Sequence, residues 1–288
     1  MKTITGFLSI FILALACSSS FGLDFEEEFK KILLGGAQKK IEEKTNSETS
    51  GTLLELSGYS QEEEITIGRQ IAGNLLGASA LVKDPALQRY VNKVGRWVAS
   101  QTERPDLAWH FGVIESSDIN AFAAPGGYIF LTRGLYGLLQ NEAELAGVLA
   151  HEIGHVIRKH HLTILQKSKL VNLGSELLSR QTESSEQVQK LIGNGAEIMA
   201  RSLDKQAEFE ADRIAVVLAT RAGYDAFALP VVLQKISLFS KQDSSVALLF
   251  KTHPHPDERL DQLGLIMNNQ LEDIQGATLA ARFHRIKP

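Results

Sequence analysis

Apolar residues change their spacing four times along the chain. A mostly apolar run of about a dozen residues comes first, too short to cross a bilayer comfortably. Residues 23–58 are rich in charge and poor in apolar positions, with Phe25, Phe29, Ile32 and Leu33 at the spacing of one short helical face. From Ser60 onward apolar residues recur at helical intervals. The pair Ser60 and Glu63 reads as a capping box, predicting a helix from there to about Leu81. A second helix is expected after Asp84-Pro85, with Leu87, Tyr90, Val91, Val94, Trp97 and Val98 as its apolar face. The stretch 109–114 reads as a strand, and "INAFAAPGGYIFLT" as two short strands joined by a Pro-Gly-Gly turn. Asn141 and Glu144 mark another capping box, predicting a helix from about 142 through His160. Everything beyond reads helical apart from loops near 182, 194, 223 and 245. A small sheet followed by many helices gives an α+β domain.

Composition adds limits. The chain has 288 residues, 44% hydrophobic and 22% charged, which is ordinary for a globular protein. The net charge of −4 comes with no basic patch, so nucleic acid is not an expected partner. Residues 1–22 read as an export signal, with Lys2 as a thin positive start. Two cleavage points fit: ahead of Cys17, in the manner of an acylated bacterial lipoprotein, and after Gly22. Cys17 is the only cysteine, so the domain expected over 59–288 has no disulfide. The segment 23–58 would be its linker, and a tether to the membrane if Cys17 carries lipid.

The chemistry centres on "GVLAHEIGHVIRKHH", residues 147–161. A helix turns about 100° per residue, so His151 and His155 lie about 40° apart on one face. Two imidazoles placed so can share a metal ion, with Glu152 beside them as general base. The apolar flanks bury this helix, and buried imidazoles and carboxylates need partners. A catalytic zinc takes a third protein ligand and keeps an open position. His161 is rejected as that ligand, because on a continuing helix it sits about 240° from His155 and faces away. His160 and His161 are left a polar or supporting role at the helix end. In "DKQAEFEADRIAVVLATRAGYD", Glu208 and Asp212 are four apart and share a face. Glu208 completes a His-His-Glu set, and Asp212 can accept from Nδ1–H of a ligating histidine. Glu210 points elsewhere.

"HEIGH" followed by "EFEAD" resembles the gluzincin metallopeptidases that include the CAAX prenyl proteases, the Oma-type mitochondrial proteases and bacterial periplasmic quality-control proteases. The resemblance covers roughly residues 60–270 and extends to "INAFAAPGGYIFLTRGL" and "THPHPDERL". It implies a mostly helical, zincin-like metalloprotease domain with a small sheet or hairpin beside the active-site helix. It implies one Zn2+ per chain, held by His151, His155 and Glu208, with Glu152 as catalytic base and Asp212 supporting a ligand. His253 and Arg259 would line the cleft near the oxyanion or the zinc, and in some periplasmic relatives the matching histidine caps the metal at rest. His255 receives no role.

The expected activity is therefore a zinc metalloendopeptidase of the bacterial envelope, hydrolysing unfolded or misassembled proteins in quality control. The peptide would bind as an added strand near Asn120, Ala121 and Phe122, with residues 162–206 as a mobile cover. The alternative is a chaperone-like assembly factor with a capped or structural zinc. The hydrophobic helices of the membrane-spanning relatives are absent from these residues, as are helical repeats after the core domain. Oligomeric state is left open.

Overall fold

Ser60 starts the first helix, α1 (Gln61–Ala78), by reciprocal bonds: its hydroxyl accepts from Glu63 N–H at 3.2 Å, and the Glu63 carboxylate accepts from Ser60 N–H at 2.8 Å. The computed structural model describes residues 59–166, 203–267, 271 and 274–286. The expected leader, Cys17, the 23–58 linker, most of the expected cover and the loops near 182 and 194 lie outside them. Helix α1 stops three residues short of Leu81, because Leu81 pairs with Ile114 as a lone bridge at the sheet. Helix α2 (Pro85–Ala99) has Asp84 as its cap and Pro85 in its first turn, and it buries Leu87, Val91, Val94 and Val98. Trp97 departs from the expected face. It is 51% exposed and turns its indole N–H to Ala222 O at 2.9 Å.

Among the described residues the sheet has three strands: β1 (His110–Ile114), β2 (Ala121–Ala124) and β3 (Tyr128–Thr132), in the order β1-β3-β2. β1 runs parallel to β3, and β2 is antiparallel to it across the Pro-Gly-Gly turn. Gly126 takes φ 74°, and a Cβ there would meet Ile65 Cα at 2.7 Å, so the turn needs a residue without a side chain. β2 is an edge strand. Thr132 N–H donates to Asn120 O at 3.0 Å. By antiparallel alternation Asn120 and Phe122 therefore direct their backbone groups to β3, and Ala121 and Ala123 direct theirs to the open side.

After the short helix α3 (Arg133–Leu138) comes α4 (Glu142–Ile157), with residues 142–156 all buried. It is the central rod of the fold. Helix α5 (Lys205–Arg221) packs along it, and α2, α6 (Ala228–Ser237), β2 and β3 cover its other sides. Asn141 caps it as expected, but the Glu144 carboxylate accepts from Gln140 N–H at 2.8 Å and from Asn141 Nδ2 at 3.1 Å, and not from the backbone N–H of the cap residue. Glu142, in its first turn, accepts from Tyr90 OH at 2.9 Å, Tyr224 OH at 2.8 Å and Arg282 Nε at 2.7 Å. That single buried carboxylate ties α2, the end of α5 and the C-terminal segment to the start of the central helix.

Helix α4 does not continue through His160. It ends at Ile157, and Lys159 sits in the left-handed region at φ 56° before helical residues 160–166. The Lys159 ammonium lies 3.4 Å from the fully buried Glu64, which also accepts from Arg104 at 2.8 and 3.1 Å and from Gly126 N–H at 3.1 Å. An ion pair thus holds the chain where it turns.

Loops fall near 223 and 245 as read from the sequence. Gly223 is at φ 86°, and a 3-10 turn covers Ser244–Val246. Short helix α7 (Ala247–Thr252) and then α8 (Pro256–Met267) follow. The C-terminal residues 274–286 correct the helical expectation. They run extended, pair Ala277 with Tyr224, and form only a 3-10 turn at Ala280–Arg282. Among the described residues no helix is long and apolar enough to cross a membrane. The mostly helical α+β architecture with a small mixed sheet beside the central helix agrees with the sequence reading.

Candidate active site and metal centre

His151, Glu152 and His155 project from the buried stretch of α4, and Glu208 and Asp212 from the facing stretch of α5. The two helices approach closely because Gly154 has no side chain: a Cβ there would meet Ala211 Cα at 3.2 Å. This contact falls between Glu152 and His155 on one helix and between Glu208 and Asp212 on the other. The Nε2 atoms of His151 and His155 are 3.0 Å apart. Glu208 lies 3.6 Å from the first through Oε2 and 3.4 Å from the second through Oε1. His253, at the end of α7, places Nδ1 2.7 Å from Glu208 Oε2. One ligand atom from each of these four buried residues falls within 4.8 Å of all the others.

The donor set fits a divalent metal. Glu208 Oε1 is buried without a hydrogen-bond partner, and a cation is what such an oxygen lacks. Burial holds the His155 imidazole well below its usual pKa, in the neutral form a metal needs. Burial acts to raise the Glu208 pKa, but the neighbouring His253 and His155 override it and hold the carboxylate ionised. Burial raises the proton affinity of Glu152, which suits a group that must take a proton.

The histidines are oriented from behind. His151 Nδ1 lies 2.8 Å from Asp212 Oδ1, which leaves Nε2 facing the cluster. Burial and Arg259 lower the His151 pKa, yet Asp212 prevails and brings it up to about 9. Arg259 clasps Asp212 with Nε at 2.8 Å and Nη2 at 2.5 Å, and its Nη2 also lies 3.2 Å from His151 Nδ1. Its Nη2 also lies 3.5 Å from His151 Nε2, so the guanidinium runs along the edge of the His151 ring, and His253 is the one of the pair that lines the recess.

A second chain of contacts was not read from the sequence. His155 Nδ1 lies 2.9 Å from His160 Nδ1, and His160 Nε2 lies 3.1 Å from Glu210 Oε2. Glu210 also pairs with Arg158 at 2.5 Å. Glu210 does point away from the metal group, but it anchors the histidine that orients His155. The sequence signal was its place two residues after Glu208, which turns it about 200° around α5.

His161 corrects the sequence reading as well. It does not face away: the break at Lys159 turns it back, and its ring lies 5.9 Å from that of His155. Burial pushes its imidazole down to about 4. It stands outside the four-residue metal group. Instead it lines a recess of about 270 Å³ together with Ala121, Phe122, Glu152, Thr252 and His253. Of the expected peptide-binding residues, Ala121 and Phe122 border this recess, while Asn120 is fully buried with its Oδ1 accepting from Ala121 N–H at 3.0 Å.

Residues 85–265 match the model of peptidase family M48. The chain belongs to peptidase family M48. The expectation of a zinc metallopeptidase related to Oma-type and bacterial proteases is borne out at the level of the family. The beta-barrel assembly-enhancing protease of Escherichia coli K12 is 32% identical over 208 residues, covering 69% of this chain and 42% of that protein. The protein of that name from Yersinia pestis is also 32% identical over 208 residues, covering 69% and 43%. The mitochondrial metalloendopeptidase OMA1 of Schizosaccharomyces pombe is 26% identical over 174 residues, covering 60% and 51%. The chain thus spans less than half the length of the bacterial M48 relatives it matches.

Proposed function

We propose that this M48 chain is an exported zinc metalloendopeptidase of the bacterial envelope that cleaves unfolded or misassembled envelope proteins. The observation that carries the reading is the buried Glu152 carboxylate, set beside the His151, His155 and Glu208 donors at the floor of a recess whose rim is the open edge of β2. The apolar leader, with Cys17 as its lipid-bearing residue, and the likeness to beta-barrel assembly-enhancing proteases support the location.

In this reading His151, His155 and Glu208 hold the zinc. Zinc, when bound, supplies a Lewis acid that acidifies water and polarises a carbonyl. An extended peptide pairs its backbone with the Ala121 carbonyl and the outward groups of Ala123, which carries the scissile bond over Glu152. Glu152 takes the proton of the attacking water and later delivers a proton to the leaving amine as the C–N bond breaks. Asp212, braced by Arg259, keeps His151 in one tautomer, and Glu210 with His160 does the same for His155. His253 occupies the fourth place of the group, so a peptide must displace it. Once displaced, its imidazole is within reach of the carbonyl oxygen as a donor. Backbone pairing selects clients whose strands are unpaired, which is why unfolded chains are the substrate class.

The same position of His253 favours a second reading, a chaperone-like assembly factor whose zinc stays capped. Purified protein incubated with denatured outer-membrane protein, with and without chelator, tests the pair. Chelator-sensitive fragments that disappear in Glu152→Gln, with zinc retained, support the peptidase. Binding of the client without any fragment supports the assembly factor.

A further inference from the structure

We propose that His161 determines specificity in a side-chain subsite beside the metal group, and that this subsite selects a substrate residue bearing a neutral hydroxyl or amide. The proposal deepens the peptidase reading above and rests on a peptide lying along β2.

Three observations place His161 there. The turn at Lys159, held by Glu64, directs the imidazole inward although His161 follows the central helix by only a few residues. The residue is 8% exposed, and its Nδ1 is buried with no hydrogen-bond partner. It lines the recess of about 270 Å³ that Glu152 and β2 also line. A buried imidazole nitrogen left unpaired is costly, and a ligand that completes it relieves the cost.

The other polar groups of the recess are already engaged. Glu152 and His253 belong to the chemistry described above, and the Thr252 hydroxyl donates to Leu248 O or Leu249 O at 3.0 and 3.2 Å. Phe122 and Leu203 supply apolar wall. Among the described residues that line the recess, His161 Nδ1 is thus the side-chain nitrogen left without a partner, and it becomes accessible only as the recess opens. While His253 stands in it the recess has room for about one water, so a substrate side chain enters only as His253 is displaced. A charged side chain would lose its hydration here without a free counter-ion, whereas a neutral hydroxyl or amide needs the one hydrogen bond His161 offers.

The test is a peptide panel built around one cleavable bond, varied one position at a time with near-isosteric pairs, Thr against Val and Asn against Leu. The readout is kcat/KM for the zinc-loaded full chain. The wild type is expected to favour the polar member at one position by about tenfold. His161→Leu should erase that preference at that position alone while still cleaving the apolar peptide, and His161→Gln should retain part of it. Zinc content and melting temperature accompany each variant, and His161→Phe replaces the leucine variant if that one does not fold. An unchanged preference in the variants, an equal fall on every peptide, or a wild type without any polar preference overturns the proposal. A wild type that cleaves no peptide overturns the peptidase reading along with it.

Discussion

Asp212 Oδ1 lies 2.8 Å from His151 Nδ1, and the same carboxylate is gripped by Arg259 through two nitrogens. The pair fixes which nitrogen of His151 faces the metal group. Asp212→Asn keeps the shape but loses the charge that orients the ring. At about pH 10, where no proton competes for His151, zinc affinity is expected to fall about 10–100-fold, measured by competition with a chromogenic chelator. An unchanged affinity would show that His151 is oriented by packing alone.

The same contact sets a pH dependence. In the metal-free chain Asp212 raises His151 to about 9, so below that pH a proton occupies the site that zinc needs. His155 is neutral and Glu208 ionised through the neutral range, so neither adds to the slope there. Zinc affinity should rise with pH between 6 and 8 by about tenfold per unit, one proton leaving per ion bound. Calorimetry in buffers of differing ionisation enthalpy counts that proton, and the count should approach zero in Asp212→Asn.

Glu152 is buried and faces the recess, outside the four-residue metal group. Replacing it by glutamine should lower kcat about 100-fold or more and leave zinc stoichiometry at one. Loss of zinc in this variant would place Glu152 among the ligands.

Gly154 sets how near α5 comes to α4. Gly154→Leu should cost about 1–3 kcal/mol of stability through overpacking. It should also weaken zinc binding, because Glu208 moves away with its helix. Thermal melts with and without zinc separate the two effects: a lower melting temperature with undiminished stabilisation by zinc would mean that the helices part elsewhere.

Three of the four residues of the candidate metal group were legible in the sequence because helical geometry does the work, and His253 came only from the family resemblance. Four-residue spacing puts His151 with His155 on one face and Glu208 with Asp212 on another, whatever the rest of the chain does. The hairpin and the caps at Ser60 and Asp84 were legible for the same reason, each resting on neighbours in sequence. What escaped depends on distant partners. Lys159 carries no local mark of a left-handed conformation, and its position is tied to Glu64, far back in α1. Once that turn is missed, His160, His161 and Glu210 all acquire the wrong surroundings. Trp97 and the extended C-terminal segment were misread similarly, since their partners, Ala222, Tyr224 and Glu142, are brought in only by tertiary packing.

The touching point at Gly154 and Ala211 falls between the chemical residues of both helices, so neither stretch can slide along the other without a clash. The span from Glu208 to the two imidazoles is then a fixed gauge, cut by backbone against backbone. On the proposed peptidase reading, the part that yields to admit a peptide is the opposite bank, the six-residue coil that ends at Thr252, with His253 just after it.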